Sequence, residues 1–214
     1  MKISVGVTTY NRPHYLARMS ASLNASAGME RCSVRVYDDC SQQLDNDLLR
    51  ERFPGAVEIV RRPSTLGPDF NMHQMYVDFL ETRDDYLLAA DADLLFHPDW
   101  IAFMERALPH TDGVLSLYNS NNHPCSRRVI FDGIALCVKN SLGSAGTVMH
   151  RSVIEGIIQD VPSCGGYDWA WCRYLRAKNI RMLVSERSYI QHIGLHGYHF
   201  NGAGMIDFGL NFLP

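Results

Sequence analysis

The stretch Asp85-Tyr86-Leu87-Leu88-Ala89-Ala90-Asp91-Ala92-Asp93-Leu94-Leu95-Phe96 constrains this chain more than any other. An apolar run of this kind reads as a buried strand, and two acids one residue apart fall toward its carboxyl end. Ionised carboxylates in such a place require water, hydrogen-bond donors or a cation. In open α/β sheets the carboxyl ends of strands are where ligands bind. Asp91 and Asp93 are therefore candidate ligands for a hard divalent metal carrying a phosphate group. An isolated Asp-x-Asp also suits a solvated loop, so the rest of the chain has to discriminate.

The preceding residues alternate regularly. Ile3 to Thr9 reads as a strand, and Asn11-Arg12-Pro13 turns into a segment with helical spacing at Tyr15, Leu16, Met19 and Leu23. Ser33 to Tyr37 reads as a second strand, closed by Asp38-Asp39-Cys40-Ser41. Leu44, Leu48, Leu49 and Phe53 have helical spacing up to Pro54-Gly55, and Val57 to Val60 forms a third strand. Asp69 is placed to cap a helix whose core face is Phe70, Met72, Met75, Tyr76, Phe79 and Leu80. The opening run is the fourth strand, and Pro98 suits the first turn of the next helix. This rhythm predicts an α/β fold with a mainly parallel central sheet flanked by helices. The first turn lacks G-x-G-x-x-G, which disfavours a dinucleotide-binding oxidoreductase.

Beyond Asp112-Gly113 the apolar segments shorten without any linker, so one domain is expected over residues 1–214, in halves 1–112 and 113–214. Gly165-Gly166-Tyr167-Asp168-Trp169 puts an acid at a helix start, either a functional carboxylate or a plain N-cap. Ser188 to His192 reads as a last strand, followed by His196 and His199. Net charge is −3, so there is no basic footprint for nucleic acid. Six cysteines without a Cys-x-x-Cys pair fit reduced thiols. The short apolar amino terminus and the absence of a run near ~20 apolar residues give an expectation of a cytoplasmic protein, with any membrane association peripheral.

Val5-Gly6-Val7-Thr8-Thr9-Tyr10-Asn11-Arg12, Asp38-Asp39-x-Ser41, Asp91-x-Asp93 and Gly-Tyr-Asp168-Trp, in that order, resemble a GT-A (Rossmann-like) glycosyltransferase of the inverting, family 2-like kind. The resemblance implies a hexosyltransferase-type enzyme that moves a sugar from a nucleotide-sugar donor, UDP-linked, to a hydroxyl acceptor. It assigns the donor's base to Asp38 or Asp39, flanked by Thr8, Tyr10, Asn11 and Arg12. It gives the metal-diphosphate to Asp91 and Asp93, with Asp93 coordinating directly and Asp91 contacting the donor. Asp168 becomes the general base, although many relatives carry Glu-Asp where this chain has Tyr167-Asp168. His192 or His196 becomes a further metal ligand, which favours Mn²⁺ over Mg²⁺. Gly143 to Thr147, including Gly146, reads either as a loop whose N–H groups approach the donor or as a bare turn.

Two other functions fit parts of the pattern. A nucleotidyltransferase acting on a sugar phosphate shares the fold, but it would open with a glycine-rich basic loop where this chain has Thr8 to Pro13. A non-catalytic nucleotide-sugar-binding module would keep the binding acids without turnover. The acceptor, whether glycan, lipid-linked glycan or another hydroxyl compound, is not encoded in any motif.

Overall fold

In a computed structural model that describes residues 1–194 and 207–213, the chain builds one central sheet with helices on both faces. β1 (Ile3–Thr9) leads into α1 (Pro13–Asn24), β2 (Cys32–Asp38), α2 (Asn46–Arg52), β3 (Ala56–Arg61), α3 (Pro68–Leu80) and β4 (Tyr86–Asp91). There follow β5 (Leu94–Phe96), α4 (Trp100–Ala107), β6 (Val114–Ser116), β7 (Cys125–Phe131), β8 (Ile134–Lys139) and β9 (Thr147–His150). The last elements are α5 (Arg151–Asp160), α6 (Tyr167–Ala177), β10 (Met182–Ser185) and β11 (Ile190–His192).

The nine-stranded sheet has the order β3-β2-β1-β4-β9-β6-β10-β8-β7. β3, β2, β1 and β4 are mutually parallel, as are β6 and β10, whereas β9 and β8 run against their neighbours. Strand periodicity then sorts the side chains. Leu88 and Ala90 of β4 join the core beneath α1, α2 and α4, while Leu87 and Ala89 join the core beneath α3, α5 and α6. A strand buried on both faces reads as continuously apolar, which is why β4 stood out in the sequence.

Five local expectations are revised. The run from Asp85 to Phe96 is two strands, because the chain turns at Ala92-Asp93 and β5 leaves the main sheet to pair antiparallel with β11. Asp69 does not cap α3. Gly67 holds that position with φ 87°, and the Asp69 carboxylate accepts from the Gly166 and Tyr167 N–H groups at 3.0 Å, which fixes the entry to α6. Pro98 precedes α4 rather than entering it. Phe70 is exposed instead of sitting on the α3 core face. The final strand is shorter than expected, β11 covering Ile190–His192 alone. β7 and β10 carry no readable strand signal, since β7 is a mostly exposed edge and β10 is only four residues long. Among the described residues, no helix is long and apolar enough to cross a membrane.

Arg151, at the first residue of α5, ties the second half of the chain to the first. Its guanidinium donates to the Leu80, Thr82 and Asp84 carbonyls at 2.9, 3.0 and 2.9 Å, and it lies 4.8 Å from the centre of the Phe79 ring. These carbonyls lie at and just beyond the C-terminus of α3, where orphan acceptors need donors and a cation meets the negative end of the helix. Arg151→Met leaves them unpaired and is expected to lower the unfolding free energy by about 2–4 kcal/mol. Urea denaturation followed by circular dichroism measures this, and a loss below about 0.5 kcal/mol would contradict the role.

Candidate active site

From β1 the chain proceeds outward to β2 and β3, then returns to β4 on the other side of β1. The carboxyl ends of β1 and β4 therefore form a topological switch point, the place where open α/β sheets hold ligands. Thr8 stands opposite Asp91 in the register, and its Oγ1 donates to Asp91 Oδ1 at 2.8 Å. The Ala92 N–H donates to the Thr8 carbonyl at 3.1 Å, which sets the turn carrying both acids.

Asp93 receives partners from both ends of the sequence. Arg12 Nη1 donates to Asp93 Oδ2 at 2.9 Å, so this arginine is directed into the site rather than into solvent. On the other side, β11 places His192 opposite Leu94, with Nε2 3.5 Å from Asp93 Oδ1. The Ile193 N–H donates to the Asp93 carbonyl at 2.8 Å. Gly194 packs so closely that a Cβ there would lie 2.1 Å from Asp93 Oδ2, a requirement no sequence motif advertised.

These contacts drive the two acids apart. Burial, followed by the Asp93 charge, pushes the Asp91 carboxyl up, against the Thr8 hydroxyl that favours its ionised form. Burial acts in the same direction on Asp93 but is outweighed by His192 and Arg12, which hold its carboxyl below the usual range. Burial likewise opposes a charged His192, yet the Asp93 contact and the Asp91 charge raise its pKa overall. The result is a persistent negative charge at Asp93 beside a more easily protonated Asp91. Among the described residues no three His, Cys, Asp or Glu side chains are already gathered as a metal cage. The turn does offer two carboxylates and an imidazole, and His196 lies outside the described residues.

The acids closing β2 have different tasks. Asp39 accepts from the Leu66 and Gly67 N–H groups at 2.7 and 2.9 Å, which occupies both of its oxygens and pins the loop before α3. Asp38 Oδ2 accepts from Arg61 Nε at 3.0 Å and from the Ser41 N–H at 3.1 Å, while its Oδ1 is buried without a partner. Asn11 is structural, since its Oδ1 accepts from the Gln42 and Gln43 N–H groups at 2.9 and 3.0 Å. Asn11 and Arg12 both adopt positive φ, 53° and 56°, a sparsely populated backbone for such residues that aims Arg12 toward Asp93. Tyr10, 41% exposed, leaves its ring free.

A cavity of about 160 Å³ opens beside Asp91 and His192. Gly143, Ser144 and Ala145 form part of its wall, and Asp168 of α6 lines it as well. The expected role of Gly146 is not met: its N–H donates to the Ala89 carbonyl at 2.9 Å, leaving none for a ligand. Its φ of 70°, and a position where a Cβ would come within 2.8 Å of Ile190, make it a packing glycine. Asp168 is not the N-cap of α6, a position held by Gly166 at φ 68°, and its Oδ1 instead accepts from the Trp169 N–H at 2.7 Å. Burial is the main reason its carboxyl is raised. The cavity also contains groups absent from the sequence reading: His123, Asp207 and the buried Lys139, whose Nζ donates to the Ser120 carbonyl at 2.9 Å. They come from short loops and strands whose meeting depends on sheet order, so no spacing rule could find them.

The sequence profile described as glycosyl transferase family 2 matches residues 4–128. The chain belongs to this family. Among curated proteins, none matches this family 2 chain by sequence. Among solved structures it is similar to S. aureus TarS 1-349 in complex with UDP-GlcNAc, with a TM-score of 0.67 and 20% identity over 96% of this chain and 62% of that one. The same TarS fragment in another crystal structure gives a TM-score of 0.61 at 18% identity over 89% of this chain and 60% of that one. A longer TarS structure gives 0.61 at 19% identity over 89% of this chain and 36% of that one. The family 2 chain thus spans less than two thirds of these neighbours and has the GT-A fold they share.

The division between Asp38 and Asp39 can be measured without any ligand. Asp39→Asn turns one of its two accepting oxygens into an N–H₂ that faces a backbone donor, and is expected to cost about 1–3 kcal/mol of stability. Tyr10→Ala, at an exposed ring, should stay within about 0.5 kcal/mol. Parallel urea titrations test both, and equal stabilities for the two variants would refute the structural role of Asp39.

Proposed function

We propose that this chain carries the catalytic site of an inverting glycosyltransferase that moves a sugar from a nucleotide-sugar donor, UDP-linked, to a hydroxyl acceptor. The observation that carries this reading is the partnered acid pair at the β1–β4 switch point, whose Asp91 lines a cavity together with His192 and Asp168. Membership of family 2 and the likeness to TarS bound to UDP-GlcNAc support it. Residues 1–112 serve the donor, and residues 113–214 shape the acceptor side.

Asp38 is the better candidate for the base of the nucleotide, because its buried Oδ1 lacks a donor that a ring N–H would supply. The exposed Tyr10 ring flanks the same nucleotide. Asp93 with His192, and Asp91 beside them, would hold a divalent cation. Hard carboxylates with one imidazole suit Mn²⁺ better than Mg²⁺. When bound, such a cation offsets the charge that develops on the departing diphosphate. Arg12 balances Asp93 in the meantime and is placed to turn toward phosphate oxygens.

Asp168 accepts the proton of the acceptor hydroxyl as that oxygen attacks the anomeric carbon opposite the diphosphate. A carboxylate raised by burial is a stronger base than one in water, which suits that task. Its charged form must be present for transfer, so the raised pKa moves the acid-side loss of activity above the ordinary aspartate value of about 3.9. UDP release from UDP-GlcNAc, with Mn²⁺ and a panel of hydroxyl acceptors, tests the proposal. Asp168→Asn should lower kcat by about 10²–10⁴-fold while retaining the UDP-induced thermal shift. Asp93→Asn should abolish the Mn²⁺ dependence of that shift. Unchanged transfer by Asp168→Asn would eliminate it as the base, and release of pyrophosphate would point to nucleotidyl transfer instead.

A further inference from the structure

A second recess, of about 220 Å³, lies between α4, the β7–β8 turn at Gly133 and the segment entering β11. It sits at the end of the β5–β11 ribbon remote from Asp93. The His97 N–H donates to the Tyr189 carbonyl at 2.9 Å and extends the ribbon past Phe96, whereas His192 occupies the other end. Three residues of extended chain place the two ends roughly 10 Å apart.

The lining combines an aromatic floor with unbalanced positive charge. Phe103 and Tyr189 stack with ring centres 4.2 Å apart, and the Arg187 guanidinium lies 5.1 Å from the centre of Tyr189. Arg106 of α4 lines the same recess. Burial pushes the Tyr189 phenol up, and the charges of Arg187 and then Arg106 pull against it, so both cations act at one place. Arg187 Nε is buried without a hydrogen-bond partner. An unpaired buried N–H is costly, and on a guanidinium more so.

The neighbouring carboxylates do not resolve this. Glu186 also lines the recess, but Arg128 of β7 grips both of its oxygens, one of them at 3.1 Å. Glu105 pairs with Arg31 at 2.6 Å, and Asp132 lies 3.5 Å from His110. Asp99 stands beside His97 at 4.0 Å and is largely exposed. Among the described residues neither Arg106 nor Arg187 forms an ion pair, and neither has a further contact of that kind.

We propose that this recess is a binding site for a phosphoryl group, distinct from the site at Asp93. A carboxylate satisfies one guanidinium fork, whereas the several oxygens of a phosphoryl group can serve two at once and match their combined charge. The Phe103–Tyr189 floor would carry the apolar or ring portion of the molecule that bears it. The inference stands on Arg106 and Arg187 alone and does not depend on the catalytic reading of Asp168.

Thermal shift of the whole chain with inorganic phosphate, against acetate at equal ionic strength, is the test. Wild type should be stabilised saturably by phosphate and not by acetate. Arg187→Met and Arg106→Met should each raise the half-saturating phosphate concentration by about tenfold or more, the loss of a charge-assisted contact. Arg12→Met, at the other site, should leave it unchanged. Arg106 is exposed, so its replacement keeps the test open should Arg187→Met fail to fold. A phosphate response absent in wild type, or lost in Arg12→Met but retained in Arg106→Met, would overturn the proposal.

Discussion

Two carboxylates flanking one residue in a buried turn repel each other and lose most of their water, so the turn survives only with donors gathered around it. The fold supplies them from three separate places: Thr8 at the end of β1, Arg12 from the strained entry to α1, and His192 from the last strand. None of these lies near Asp91 or Asp93 in sequence. The order of strands brings them together, with β1 beside β4 and β11 paired to β5. The acid turn is therefore the point where the topology of the molecule closes.

The amino-terminal half was largely legible because burial on both faces writes itself into β1 and β4 as apolar runs, and acids close β2 and β4 abruptly. Leu16, Met19 and Leu23 also announced the buried face of α1. Legibility failed where position depends on tertiary partners. Arg12 looks like any surface arginine until its φ of 56° and its contact with Asp93 are seen. Asp69 resembles a cap but reaches across to α6, and the Gly146 N–H belongs to the sheet. The edge strand β7, with Ser126, Arg127 and Arg128 in its first half, has no buried face strong enough to impose alternation.

The family profile ends at residue 128, yet neither sheet nor site is complete there. β9 fills the place between β4 and β6, and α6 and β11 contribute Asp168 and His192. Thr8, Arg12, Asp91 and Asp93 thus fall inside the shared profile, while Asp168 and His192 come from sequence beyond it.

The placement of β9 has a consequence for how the molecule is made. β4 and β6 leave the ribosome before the strand that joins them, so each waits with an unpaired edge until Thr147–His150 emerges. Parallel pairing of β1 with β4 is already a slow, non-local step. An apolar strand with one open edge is a template for pairing with another chain. Between synthesis of β4 and arrival of β9 the nascent chain therefore carries an open apolar edge. Once β9 arrives, Arg151 immediately after it bonds the chain beyond α3 and closes that edge against the first half.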